Sequence, residues 1–178
     1  MENQFQFKKL LKYGVIISLV SIIYTVILYV VDITMMVSFW NLAISLLISI
    51  GLLIWATLSY RKEVGGYLTF KNAFLSVFVM SIISGIIGTA FTILLFSVID
   101  PTLPDTLKDA TIEMTERMMT SMGAPEDQID KTLAELEEED QFSTGSMLKS
   151  NSINFLVFSL IISLIFGAIF KKSKPEVE

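Results

Sequence analysis

Apolar residues in this chain fall into four long blocks, at residues 13–31, 39–60, 72–99 and 153–170, and none of the blocks contains Asp, Glu, Lys or Arg. A hydrocarbon core about 30 Å thick is crossed by about 20 helical residues, each rising about 1.5 Å. The blocks match that length. Where water is absent, every backbone N–H and C=O must find a partner within its own segment, so each block is predicted to be a helix. Ile and Val, which favour strands in water, lose that preference here. The link at 32–38 is short and predicts an antiparallel pair of spans. The third block is the longest, and its excess length predicts a tilt. Before it, Gly65-Gly66 is predicted to end the second helix in left-handed conformations. Thr69 is predicted to cap a helix starting at Phe70.

After Pro101 the pattern changes to that of amphipathic helices. Leu107, Ala110, Thr111, Met114, Met118 and Met122 share one face of a predicted helix at 107–122. Gly123 stops it, and Pro125 suits the first turn of a second helix at 125–139, with a narrow stripe of Ile129, Leu133 and Leu136. Ser150 or Asn151 is placed to cap the last span. The expected fold is all-α: one domain over 1–178, a four-helix transmembrane bundle whose acidic insertion, 101–149, forms an extracytoplasmic amphipathic helical hairpin between spans three and four.

Composition agrees, with 53% hydrophobic residues and a mean hydropathy of +0.66, too apolar for an ordinary water-soluble domain. Charge orients the bundle. Lys8, Lys9, Lys12, Arg61, Lys62, Lys71, Lys171, Lys172 and Lys174 occupy the N-terminal segment, the 61–71 loop and the C-terminal tail, accompanied only by Glu2, Glu63, Glu176 and Glu178. The rest of the chain's 18 acids lie in the other two links, with Lys108, Arg117, Lys131 and Lys149. The positive-inside rule therefore puts both termini and the 61–71 loop in the cytoplasm and 101–149 outside. The first block is longer than a signal-peptide core, and Asp32-Ile33-Thr34 follows it instead of a small-residue cleavage site, so it reads as an uncleaved span. Tyr24, Tyr29, Phe39, Trp40, Trp55 and Tyr60 lie toward span ends, where aromatic belts form.

The chemistry available is limited. With no Cys and no His, thiol nucleophiles, disulfides, Cys/His zinc sites and a histidine base are excluded. Intramembrane enzymes and proton-coupled carriers use ionisable groups inside their spans, and these four have none. No catalytic residue, cofactor or nucleic-acid partner is expected. Ser81, Ser84, Gly85, Gly88 and Thr92 form a small-residue stripe on the third span, suited to close helix packing or to an interface with a second copy or another membrane protein. Arg61, Lys62, Gly65, Gly66 and Lys71 form a loop suited to anionic lipid headgroups, and no phosphate-loop pattern accompanies the glycines. Met114, Met118 and Met122 offer thioethers that soft metal ions prefer, although methionines at this spacing also serve as a flexible apolar face.

One resemblance covers nearly the whole chain. Arg61-Lys62, Gly65-Gly66-Tyr67-Leu68-Thr69-Phe70, Ala73-Phe74 and the Ile99-Asp100-Pro101 closure, followed by an acidic segment and a last span, resemble an uncharacterised bacterial family of four-helix integral membrane proteins, a domain of unknown function. The resemblance implies a multi-pass protein of the bacterial inner membrane and brings no activity with it. The leading expectation is a non-enzymatic scaffold, assembly factor or subunit of a membrane complex. The alternative is a small carrier or channel for a neutral or lipidic substrate.

Overall fold

The computed structural model describes residues 6–138, 144–146 and 152–172. Its elements are α1 (Phe7–Val31), α2 (Phe39–Glu63), α3 (Phe70–Leu94), α4 (Leu103–Ser121), α5 (Glu126–Glu138), the single turn α6 (Thr144–Ser146) and α7 (Ser152–Phe170). α1, α2, α7 and α3 with its continuation to Ile99 are each long and apolar enough to cross a membrane. The chain is an all-α multi-pass membrane protein, with the four spans where the apolar blocks place them.

The ends differ in detail from the sequence pattern. α1 begins at Phe7, a turn and a half before residue 13, because Lys8, Lys9 and Lys12 are good helix formers and can reach past the apolar boundary. α2 likewise runs on to Glu63, with Arg61 and Lys62 in the last turn, where the helix dipole favours cations. The link after α1 is a 3-10 turn, Ile33–Val37, and α3 widens into a π turn, Leu95–Ile99. There the Asp100 N–H donates to Leu95 O at 2.8 Å. α4 starts at Leu103 rather than residue 107, with Pro104 in its first turn. Ser150 and Asn151, the proposed caps of the last span, lie outside the described residues.

α3 is the central helix, parallel to α1 on one side and antiparallel to α7 on the other. Both seams depend on glycine. A Cβ on Gly14 would stand 2.7 Å from Ile83 Cγ2 and 3.2 Å from the Met80 carbonyl, so α1 lies almost against the α3 backbone. Along the other seam, Gly85 lies under the Phe155 ring, and a Cβ on Gly167 would meet Phe74 Cβ at 3.1 Å. Between those two contacts Ser76, Ser81, Ser159 and Ser163 are buried. Ser76 and Ser163 donate to carbonyls one turn back, whereas the Ser159 hydroxyl is the only buried side-chain oxygen among the described residues with no partner. α2 packs chiefly against α1 and leaves Phe39, Trp40, Leu42 and Leu47 exposed for lipid.

The buried side chains form two clusters, one at each end of the bundle. At the end carrying the basic segments, Leu10, Tyr13 and Ile17 meet Leu53, Ala56, Tyr60, Leu68, Ala73, Val77, Met80 and Phe166, so all four spans converge. At the acidic end Leu95, Phe96, Leu103 and Leu107 gather with Tyr29, Ile33, Met36, Val37 and Phe91. This second cluster seats the base of α4 on the bundle, and α5 packs against α4.

Glycine should therefore matter by position rather than by number. Gly14→Val is expected to lower the thermal midpoint of the detergent-solubilised protein, at the cost of about 1–3 kcal/mol typical of overpacking. Gly88 has nothing within 4 Å of its would-be Cβ, and Gly88→Ala should be neutral or raise the midpoint. Circular dichroism melts of the two variants would check the contrast.

Candidate functional site

Polar side chains collect at three places, two of them built by the ends of helices. The first is at the basic end. α2 stops in a Schellman motif: Gly66 N donates to Arg61 O at 2.8 Å and Gly65 N to Lys62 O at 3.3 Å, with φ of +99° at Gly65 and +82° at Gly66. The reversal sends the chain back so that Leu68 pairs with Lys172, N to O at 3.0 Å and O to N at 2.7 Å, and Lys172 Nζ lies 5.6 Å from the Tyr67 ring centroid. Thr69 Oγ1 then accepts from Asn72 N and caps α3. Arg61 Nη1 donates to Phe170 O at 3.3 Å, tying α2 to the end of α7, and Lys62 and Lys71 are exposed.

Glu63 is the hub of this end. Its Oε1 accepts from the Tyr13 hydroxyl at 2.7 Å and from Lys12 Nζ at 3.2 Å, while Lys9 Nζ donates to its backbone carbonyl at 2.8 Å. Tyr60, expected in a lipid-facing aromatic belt, is instead wholly buried, and its hydroxyl accepts from Gln6 N at 3.0 Å. Tyr13 meets the Trp55 ring edge-on at 5.6 Å between centroids. These bonds lock α1 to α2.

The second place is the acidic end. Asp100 Oδ1 accepts from Thr102 N at 3.1 Å and from its hydroxyl at 2.6 Å, and Oδ2 accepts from the Tyr29 hydroxyl at 3.2 Å. Asp32 makes the same turn with Thr34 N and Oγ1, at 2.9 and 2.7 Å. The two parallel helices α1 and α3 thus leave the bundle through matching Asp-x-Thr turns. Chiefly the Thr102 hydroxyl bond, against some desolvation, holds the Asp100 carboxyl below the usual carboxylate range.

The third is a cleft of about 180 Å³ between α1 and α2, in the half of the bundle toward the acidic end. α1 contributes Ser21, Tyr24, Thr25 and Leu28, the 3-10 turn Met36, and α2 Asn41, Ser45, Ile48 and Ser49. Tyr24 donates to Asn41 Oδ1 at 2.7 Å across the cleft, and Asn41 Nδ2 donates to Met36 O at 2.8 Å.

The residues singled out in the sequence are dispersed. Of the small-residue stripe, Ser81 and Gly85 face α7, Ser84 is half-buried, Gly88 has open space, and Thr92 donates to Gly88 O at 3.0 Å. On α4, Met114 is half-buried and Met118 and Met122 are exposed. Met114 and Met122 stand about 12 Å apart along the helix axis, so the three thioethers do not converge on one ion. No group of three acidic, His or Cys side chains that could hold a metal occurs among the described residues. Glu63 and the Tyr24/Asn41 pair were not marked by sequence pattern. The one available signal was Glu63's position as a single acid among the cations of the 61–71 loop.

The model of the family described as Protein of unknown function (DUF4199) matches residues 12–172. No curated protein and no solved structure matches the chain.

Two tests follow from the ends of the bundle. Tyr13→Phe should lower the thermal midpoint by removing its bond to Glu63, and Glu63→Ala should lower it further because the Lys9 and Lys12 contacts go too. The double variant should fall no further than Glu63→Ala alone, since the bond between Tyr13 and Glu63 can be lost only once. Asp100, with its depressed folded pKa, contributes stability that is complete above its unfolded value of about 3.9 and is lost as pH falls through the folded value. Asp100→Asn should flatten that acid limb in melts recorded against pH.

Proposed function

The chain belongs to the DUF4199 family of proteins of unknown function, and from this starting point we propose that it works without catalysis, as a scaffold, assembly factor or subunit of a membrane complex in the bacterial cell membrane. The observation that carries this reading is the placement of the ionisable groups. They lie at the two ends of the spans, where Glu63 binds Tyr13 and Lys12 and where Asp100 binds Tyr29 and Thr102, and each joins one helix to another or to its own turn. A residue kept for proton transfer or for ion coupling belongs in mid-span, where its cost is repaid only by use. The exposed apolar face of α2, with Trp40 at 75% exposure, supplies area for a second copy, another membrane protein or lipid.

Both termini and the 61–71 loop belong in the cytoplasm on this reading, with the α4 and α5 segment outside. The basic N-terminal turn of α1, the Arg61-Lys62 turn, Lys71 and Lys171-Lys172 all lie at one end of the bundle, which supports that orientation. A carrier or channel for a neutral or lipidic substrate is favoured by the cleft alone, and the basic-end cluster blocks a continuous path beneath it.

Because the chain has no cysteine, single cysteines report without background. In whole cells Gly123→Cys should react with a membrane-impermeant maleimide, and Gly66→Cys only after the membrane is opened; the reverse pattern inverts the topology. For the role itself, crosslinking in native membranes should recover a reproducible set of membrane-protein partners. A chain recovered alone, together with solute flux in reconstituted vesicles, would replace the assembly reading with the carrier.

A further inference from the structure

The cleft between α1 and α2 has no charged lining, and every lining residue except Met36 lies in a membrane-crossing helix. Its polar atoms are already committed in one direction. Ser21, Thr25, Ser45 and Ser49 each give their proton to a carbonyl of their own helix, at 2.8–3.0 Å. Tyr24 gives its proton to Asn41. What the wall still offers are hydroxyl lone pairs, which accept, and the second N–H of Asn41, whose first is taken by Met36 O.

Each class of occupant can be weighed against that wall. An ion would lose its hydration without meeting a counter-charge. A bare hydrocarbon chain would leave the acceptors and the amide N–H unanswered. The cavity, about 180 Å³, exceeds the roughly 150 Å³ that accepts a benzene ring, so a group of six or more heavy atoms fits. The complement is an uncharged group rich in O–H donors, on a molecule that reaches mid-span height through the bilayer. Toward the basic end, Tyr13 and Ile17 of α1 and Leu53 and Ala56 of α2 are buried in the four-helix core, which makes the cleft a blind pocket.

We propose that this cleft binds the hydroxylated headgroup of an uncharged lipid of the monoacylglycerol kind, which carries two free O–H groups, taken from the leaflet at the acidic end. The headgroup O–H groups donate to the hydroxyls of Ser45 and Ser49, and one of its oxygens accepts from Asn41. The site is a place of residence rather than a passage, and it stands independently of the assembly role.

The test uses the full chain in phosphatidylcholine vesicles that contain a monoacylglycerol with a photoreactive group on its acyl chain near the glycerol. Labelling is expected on the 21–28 and 41–49 peptides, displaced by unlabelled monooleoylglycerol and untouched by excess free glycerol. Ser49→Leu fills the cleft without touching the Tyr24/Asn41 bond and should lower that labelling about tenfold, as for one lost hydrogen bond plus excluded volume. Background labelling of α7 and the thermal midpoint should stay unchanged. Ser45→Ala removes one acceptor without adding bulk and should give a smaller drop, which preserves the test if Ser49→Leu folds poorly. Equal labelling by a lysophosphatidylcholine probe with the same chain would reduce the site to annular lipid. Displacement by glycerol would make it a water-side polyol site, and labelling indifferent to both substitutions would remove the cleft; each of these outcomes overturns the proposal.

Discussion

In a bilayer there is no water to expel between helices, because lipid tails are as apolar as leucine, so apolar rods stay together only where backbones approach closely or polar groups meet. The structure meets that constraint with α3. Gly14 lets α1 lie against it, and Gly85 and Gly167 let α7 do the same from the other side, so one helix carries both close seams. α2 has no such glycine seam and is held instead by polar bonds, from Lys9 and Tyr13 to Glu63 at its basic end and from Tyr24 to Asn41 at the other. The looser α1 and α2 pair is also where the cleft opens.

Polar groups are divided between ends and interior by cost. Carboxylates and ammonium groups occupy the boundaries, where headgroups and water share their solvation. Hydroxyls occupy the interior, where each can return its proton to the carbonyl one turn earlier. That division keeps the charged groups out of the span interiors. It also explains why a cleft lined by hydroxyls is tolerable within the membrane: its hydroxyl protons are returned to the helices themselves, and those groups are left as acceptors.

Features governed by local rules were legible in the sequence. The spans follow from unbroken apolar length, the end of α2 from two glycines that adopt positive φ, and the start of α3 from a threonine three residues before Asn72. Features governed by distant partners were not. Glu63 meets Tyr13 and Lys12 across some 50 residues, and nothing near Glu63 names them. Tyr60 fitted a belt as well as a core, because a tyrosine at a span end has the same sequence signature in both places. The Leu68 and Lys172 pairing depends on where α7 finishes, which only the packed bundle decides.

The seam between α3 and α7 has a consequence for how the protein is made. α3 is the central helix, yet the partner that covers Gly85 and the buried serines is separated from it by residues 95–151. At a synthesis rate of roughly 5–20 residues per second, α3 enters the membrane several seconds before α7 exists. During that interval the first three helices are held together by the Gly14 contact, the basic-end cluster and the bonds of Glu63, and the face of α3 that α7 will cover must be met by something other than its native occupant. The last helix therefore finishes the fold rather than extending it, and a chain cut short in the acidic insertion would leave its central helix half wrapped.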